Sequence, residues 1–142
     1  MATSVSSIPA ADSRRAQAHF EQKLAFETDC WDVHEALAAG ADFVLLDVRS
    51  PALFARGHVP GAVNLPHGKI VESKLAGYPR ETLFVVYCAG PHCNGADRAA
   101  ARLARHDRPV KLMIGGITGW LDEGFELARG AQPEPAARQQ WS

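Results

Sequence analysis

Buried strands are predicted where apolar residues run together along the chain. The runs at 43–47 (FVLLD) and 83–88 (LFVVYC) are nearly continuous, which is typical of strands covered on both faces, as in a parallel sheet. Shorter segments at 62–65 (AVNL) and 110–114 (VKLMI) predict two more strands. We therefore expect a sheet whose long strands lie inside the protein.

Two helices are predicted before residue 43. Ser13 can cap the first and Asp29 the second, and Gly40 ends the second. Their apolar stripes are Ala16, Phe20 and Leu24 in the first and Cys30, Val33 and Leu37 in the second. Further short helices are predicted between Ser50 and Gly57, at 69–75 and at 118–123, before Gly124. Beyond Leu127 we expect a loosely held tail.

The segment after Cys88 carries the clearest helical pattern. Its apolar positions are Ala96, Ala99, Ala100, Leu103 and Ala104, and its polar face carries Asp97, Arg98, Arg102 and Arg105. Asn94 can cap this helix, and the Asp97 carboxylate is placed to accept a hydrogen bond from the Asn94 backbone amide. Strands that alternate with helices predict right-handed crossovers and a parallel α/β sheet. Ligands of such sheets bind beyond the carboxyl ends of the strands, which is where Cys88 lies.

Composition indicates one soluble globular domain of 142 residues, with 46% hydrophobic and 22% charged residues. The formal net charge of -1 predicts no field that would attract nucleic acid or an anionic membrane. Three cysteines are too few for a disulfide framework and indicate a reducing compartment. The first residues lack the pattern of a secretory signal, and no apolar stretch is long enough for a membrane span. We therefore expect a cytoplasmic protein.

Cys88 is the candidate nucleophile. A thiol between a strand end and a helix start faces unpaired backbone amides and the helix dipole, which favour the thiolate over the neutral thiol. Several amides around the sulfur would stabilise the thiolate further, so no separate general base is needed. Gly90 and Gly95 are expected to supply unusual φ values for that loop.

The segment DVRSPALFARGHVPGAVNLP from Asp47, the strand that ends in Cys88, and GGITGW from Gly115 resemble the rhodanese-like sulfurtransferase family. The resemblance implies a five-stranded parallel sheet flanked by helices on both faces, here with an extra N-terminal helix. It divides the chain into an N-terminal extension at 1–28, a rhodanese-like domain at 29–128 and a C-terminal tail at 129–142.

By position, the resemblance makes Cys88 the persulfide-forming residue of a sulfurtransferase. The sulfur donor would be thiosulfate or a persulfide, and the acceptor a thiol, possibly on a protein, or cyanide. The active-site loop then consists of Ala89, Gly90, Pro91, His92, Cys93, Asn94 and Gly95. This loop is longer than the family's common six-residue form, and its one cationic candidate is His92, which favours a persulfide over thiosulfate as donor.

Cys93 has three interpretations: a space filler beside the helix start, a resolving thiol that forms a disulfide with Cys88, or the main nucleophile. Cys88, His92 and Cys93 all suit zinc, but no fourth ligand stands at a recognisable spacing, so we predict no metal and no cofactor. His92 either lines the pocket mouth or is solvated. Cys30 is predicted to be a core residue.

Arg49 and Arg98 are candidate substrate contacts, although a structural ion pair between Arg49 and Asp47 is favoured. His58 is expected to tie its turn by hydrogen bonds, and Trp120 either to roof the pocket or to pack the last helix.

Two other functions compete with sulfur transfer. A phosphatase or arsenate reductase of this architecture needs an arginine six positions after the cysteine, where this chain has Asn94 after Cys88 and Ala99 after Cys93. A thiol redox or signalling module that uses a Cys88–Cys93 disulfide is the stronger alternative, and a non-catalytic partner-binding domain is another. The sequence leaves open the physiological donor and acceptor and whether the protein is a monomer or a homodimer.

Overall fold

The computed structural model describes residues 1–132. Its α-helices are α1 Ser13–Phe26, α2 Cys30–Ala39, α3 Pro51–Arg56, α4 Glu72–Leu75, α5 Gly95–Arg105 and α6 Gly116–Asp122. Its strands are β1 Glu27–Thr28, β2 Val44–Asp47, β3 Val63–Asn64, β4 Phe84–Tyr87 and β5 Val110–Met113. None of the helices within residues 1–132 is long and apolar enough to cross a membrane.

The strands form one five-stranded parallel sheet in the order β1-β5-β4-β2-β3, which confirms the predicted α/β fold. The apolar pattern does not predict β1, because Glu27 and Thr28 form no apolar run. Their pairing with Leu112 and Met113 of β5 makes them a strand. Consequently α1 alone precedes the sheet, and α2 follows its first strand.

Helices cover both faces of the sheet, because successive residues of the central strands point to opposite sides. One face packs against α4 and α5, and it includes Leu46, Phe84, Val86 and Leu103. The other packs against α2, α3 and α6, and it includes Leu45, Val85, Tyr87, Cys30, Phe54 and Trp120. The predicted core position of Cys30 is thus confirmed, with 5% of the residue exposed. Burial raises the pKa of the Cys30 thiol to about 11.

The N-terminal helix differs from its prediction in two ways. Asp12 caps it, not Ser13, through a hydrogen bond from the Arg15 amide to the Asp12 carboxylate. Its predicted apolar stripe does not enter the core, since Phe20 is 62% exposed and Leu24 is 70% exposed. The helix lies beside β5 and the edge strand β1, with a cleft between the helix and these strands.

The predicted helix at 69–75 is two separate turns. His67–Lys69 form a 3₁₀ turn, and α4 begins only at Glu72. Ile70 and Val71 between them are extended, and the Ile70 side chain is 1% exposed in the core. Burial of Ile70 therefore interrupts the helix.

The segment just after Leu127 is held by hydrogen bonds, so the prediction of a loose tail is wrong for residues 128–132. Ala128 exchanges two backbone hydrogen bonds with His58. The Gln132 side chain accepts from the Asn64 amide at 2.6 Å and donates to the Asn64 carbonyl at 2.7 Å. The rest of the predicted tail, 133–142, lies outside the described residues.

Candidate active site

Cys88 lies at the carboxyl end of β4, between the ends of β2 and β5. The pairing of β2 with β4 extends to Asp47 opposite Tyr87, so Cys88 is the next residue after the paired part of the strand. It is 7% exposed. The loop from Cys88 to Asn94 then leads into α5 at Gly95, the strand-loop-helix arrangement that the sequence predicts.

Cys88 and Cys93 form a disulfide within this loop. Their Cα atoms are 6.5 Å apart, which is within the range that a disulfide spans. Among the three interpretations of Cys93, the structure therefore supports a partner thiol for Cys88. Cys93 is half-buried, whereas Ala89, Pro91, His92 and Asn94 are exposed.

Gly95 gives the two sulfurs their space. A Cβ at this position would lie 2.9 Å from Cys88 Sγ and 3.4 Å from Cys93 Sγ, so a larger residue would displace them. Gly90 is also closely packed, because a Cβ at this position would lie 2.7 Å from Thr118 Oγ1. Neither glycine has a positive φ, so the conformational freedom expected of them is not used in that way. Their small size is what the loop uses.

The first amide of α5 points at Cys93. Gly95 N donates to Cys93 Sγ at 3.4 Å, and Cys93 N donates to the Gly90 carbonyl at 3.1 Å. Asn94 occupies the N-cap position, but within the described chain its side chain makes no capping hydrogen bond, contrary to the prediction. Its Oδ1 accepts instead from Arg98 Nε at 3.2 Å.

The start of α6 fixes the other side of the loop. Ile117 N donates to the Cys88 carbonyl at 3.1 Å, and Thr118 N donates to the Ala89 carbonyl at 3.0 Å. Gly116 makes this approach possible, because a Cβ there would clash with the Cys88 carbonyl oxygen. Gly116 also has a φ of +57°, a conformation that favours glycine.

His67 is a neighbour of the sulfurs that the sequence pattern does not single out. Its ring Cδ2 lies 3.5 Å from the position of a Gly95 Cβ, the same point that lies beside both sulfurs. Its Nδ1 is buried and has no hydrogen-bond partner among residues 1–132. His67 follows soon after β3 ends at Asn64. Because the ligands of parallel sheets bind beyond the carboxyl ends of the strands, this position in the sequence could have marked His67 as a candidate.

Arg49 is committed to a buried ion pair, as favoured from the sequence. Its Nη2 lies 2.7 Å from Asp47 Oδ2 and donates to the Gly57 carbonyl at 2.6 Å. Tyr87 OH also donates to Asp47 Oδ2, at 2.8 Å, and accepts from Val59 N at 3.0 Å. Burial, reinforced by the Asp47 charge, raises the pKa of Tyr87 above its ordinary value. This network holds the strand ends beside Cys88.

The other candidates separate into structural residues and exposed ones. His58 Nδ1 hydrogen-bonds the Phe54 carbonyl at 2.8 Å, and the two rings stack, as the structural interpretation predicts. Trp120 is buried and donates from Nε1 to the Glu126 carbonyl at 2.9 Å, so it packs the last helix and does not roof a pocket. Arg98 is exposed on the first turn of α5.

Within residues 1–132, no group of three or more His, Cys, Asp and Glu side chains is arranged to hold a metal ion.

Comparison with known proteins gives a consistent family. The sequence-family model of the rhodanese-like domain matches residues 31–123. The thiosulfate sulfurtransferase GlpE of Pseudomonas entomophila is 32% identical over 106 residues, which cover 73% of this chain and 87% of that protein. The HTH-type transcriptional regulator Rv0324 of Mycobacterium tuberculosis is 34% identical over 91 residues, covering 63% of this chain but only 39% of the regulator. The crystal structure of the BH2092 protein of Bacillus halodurans has a TM-score of 0.81 and 30% identity, and it covers 92% of this chain and all of that one.

Proposed function

The chain belongs to the rhodanese-like domain family, and from that premise we propose that it is a sulfurtransferase in which Cys88 carries a sulfane sulfur as a persulfide. The observation that carries the proposal is the position of Cys88 at the end of the central strand, in a loop held between α5 and α6. A nucleophile fixed there meets substrate at the edge of the sheet where ligands of parallel α/β proteins bind.

Sulfur transfer at Cys88 takes two displacement steps. The Cys88 thiolate attacks the outer, sulfane sulfur of the donor, and the donor's inner group leaves with the electron pair of the broken bond. A thiolate or cyanide acceptor then attacks the terminal sulfur, and the Cys88 thiolate leaves. Hydrogen bonds from α6 to the carbonyls of Cys88 and Ala89 hold the backbone still during both steps.

A persulfide on a small thiol or on a protein suits this site better than thiosulfate. Thiosulfate is a dianion, and the loop from Ala89 to Gly95 carries no Lys or Arg to bind it. Arg49 is taken up by Asp47 and Gly57, which leaves the exposed Arg98 as the arginine candidate for a donor contact.

The direct test is the Cys88→Ser variant. We expect it to lose transfer of sulfur from glutathione persulfide or thiosulfate to cyanide, and to gain no sulfur by intact mass spectrometry. Cys30→Ala is the matched control, because it removes a thiol buried under α6 and should keep the activity. Turnover by Cys88→Ser at the rate of the unmodified protein would refute the proposal.

A second candidate function is a thiol redox or signalling module, and the Cys88–Cys93 disulfide favours it. The similarity to part of a transcriptional regulator is also compatible with signalling. In that case a sulfur donor would oxidise the two thiols to the disulfide, and the reduced protein would lose the mass of two hydrogens. No added sulfur would be found on Cys88, either during the reaction or in a Cys93→Ser variant.

A further inference from the structure

We propose that Cys93 discharges the Cys88 persulfide, so that the site releases the carried sulfur as hydrosulfide and closes the Cys88–Cys93 disulfide. The inference rests on the proposed persulfide at Cys88. It gives Cys93 a role as the first acceptor within the same loop and makes hydrosulfide the product.

The disulfide itself shows that Cys93 reaches the sulfur that it would have to attack. The two sulfurs bond across a Cα–Cα distance of 6.5 Å within the loop, with both ends of the loop held by the sheet and by α5. A nucleophile on the same short loop acts at an effective concentration that a dissolved thiol does not match.

Burial decides which sulfur of the persulfide each nucleophile can attack. Cys88 is 7% exposed, so its own Sγ, the inner sulfur of the persulfide, lies deeper in the protein than the terminal sulfur that it carries. An external acceptor therefore meets the terminal sulfur, whereas Cys93 lies beside the inner one. The amide of Gly95 donates to Cys93 Sγ and favours the thiolate that this attack requires.

The discharge step is balanced without an external oxidant. The Cys93 thiolate attacks Cys88 Sγ, a bond forms between the two cysteine sulfurs, and the bond from Cys88 Sγ to the terminal sulfur breaks. The terminal sulfur leaves with that electron pair and its proton as hydrosulfide. The carried sulfur is reduced while the two cysteines are oxidised to the disulfide. When the persulfide is ionised, the leaving sulfur takes its proton from water.

Return to the dithiol requires a thiol reductant, either two small thiols or one dithiol. Cys93 is the more exposed half of the disulfide, so the incoming thiolate attacks Cys93 Sγ and Cys88 leaves as the thiolate. A second thiolate then frees Cys93. Each cycle thus converts one sulfane sulfur and two thiols into hydrosulfide and one external disulfide.

A single-turnover experiment tests the discharge. The reduced full-length protein is loaded with less than one equivalent of glutathione persulfide, desalted at once to remove glutathione, and left without thiol. Hydrosulfide is measured over time. The mass of the tryptic peptide 81–98 is measured by mass spectrometry without prior reduction; this peptide contains both Cys88 and Cys93 but not Cys30.

We expect the unmodified protein to release one hydrosulfide per bound sulfur, while peptide 81–98 changes from one added sulfur to a loss of two hydrogens. In Cys93→Ser, we expect the peptide to keep its added sulfur and hydrosulfide release to slow by at least about tenfold until a thiol is supplied. Cys30→Ala should behave as the unmodified protein does.

The outcomes separate the two proposals. If both the unmodified protein and Cys93→Ser keep the added sulfur, the discharge is refuted and the sulfurtransferase proposal stands. If Cys93→Ser takes up no sulfur on Cys88, the sulfurtransferase proposal fails, and the discharge fails with it.

Discussion

At the scale of the residue, the carboxylate of Asp47 is fully buried, and its partners are two residues from different strands or strand ends, Arg49 and Tyr87. Arg49 supplies the countercharge, Tyr87 donates a hydrogen bond across from β4, and the Arg49 amide donates at 3.0 Å. Asn64 adds hydrogen bonds to the carbonyls of Asp47 and Arg49. Such a network is costly to break, because removing one member leaves another buried and unpaired.

Tyr87→Phe should lower the free energy of unfolding by about 1–3 kcal/mol, because it leaves Val59 N without a partner and removes one of the hydrogen bonds that Asp47 Oδ2 accepts. Above about pH 10 the unfolded tyrosine ionises while the folded one stays protonated, so the unfolded state binds fewer protons and the unmodified protein loses stability. The difference between the two proteins should therefore narrow as pH rises past 10. Urea denaturation at pH 8 and pH 10.5 measures the free energy of unfolding of both proteins. A difference between them that does not change with pH would contradict the explanation.

At the scale of the element, the loop of Cys88 is shaped by two helix starts that come from different parts of the chain. α5 follows the loop directly and directs its first amide at Cys93. α6 begins at Gly116, far along the sequence, and its amides hold the carbonyls of Cys88 and Ala89. Contact between α6 and the loop requires that residue 116 have no side chain.

Gly116→Ala should therefore impair sulfur loading of Cys88 as well as stability. Its methyl group would clash with the Cys88 carbonyl oxygen and approach Gly90 N at 2.9 Å, so the loop or α6 must shift. Gly124→Ala is the matched control, because Gly124 also has a positive φ of +82° but nothing lies within 4 Å of its Cβ position.

In both variants, backbone strain should lower the free energy of unfolding by about 1–2 kcal/mol, as measured by urea denaturation. Only Gly116→Ala should also slow persulfide formation, measured by mass spectrometry on folded protein. Equal loading rates in the two variants would show that the approach of α6 does not position Cys88.

At the scale of the whole molecule, the two ends of the described chain are attached to the domain to different degrees. Against the rest of residues 1–132, no residue of α1 is buried. Residues 128–132, in contrast, form hydrogen bonds with Ala55, Arg56, His58 and Asn64. The sheet, its two cores and the loop of Cys88 form between these ends.

Removal of residues 2–25 should leave a folded domain whose thermal midpoint falls by less than about 5 °C and whose sulfur loading is unchanged. The matched comparison is between chains that end at Gln132 and at Leu127, where the shorter chain loses the hydrogen bonds of residues 128–132 and should melt at a clearly lower temperature. Calorimetry measures both. A larger loss from residues 2–25 than from 128–132 would show that α1 contributes to the core.

The sequence by itself determined the α/β class, the long strands and the position of Cys88. These follow from local signals: continuous apolar runs, N-cap residues such as Asp29 and Ser50, and a strand end followed by a helix start. The family resemblance added the count of five strands, because β1 has no apolar run of its own.

The tertiary structure alone decided which residues surround Cys88. His67, Gly116 and Thr118 are remote from Cys88 in sequence, and they meet the loop only because the carboxyl ends of parallel strands lie at one edge of the sheet. The choice among the three interpretations of Cys93 likewise depended on distance, since spacing along a loop does not fix the direction of a side chain. Local patterns specify elements, whereas contacts between distant residues exist only after the elements pack.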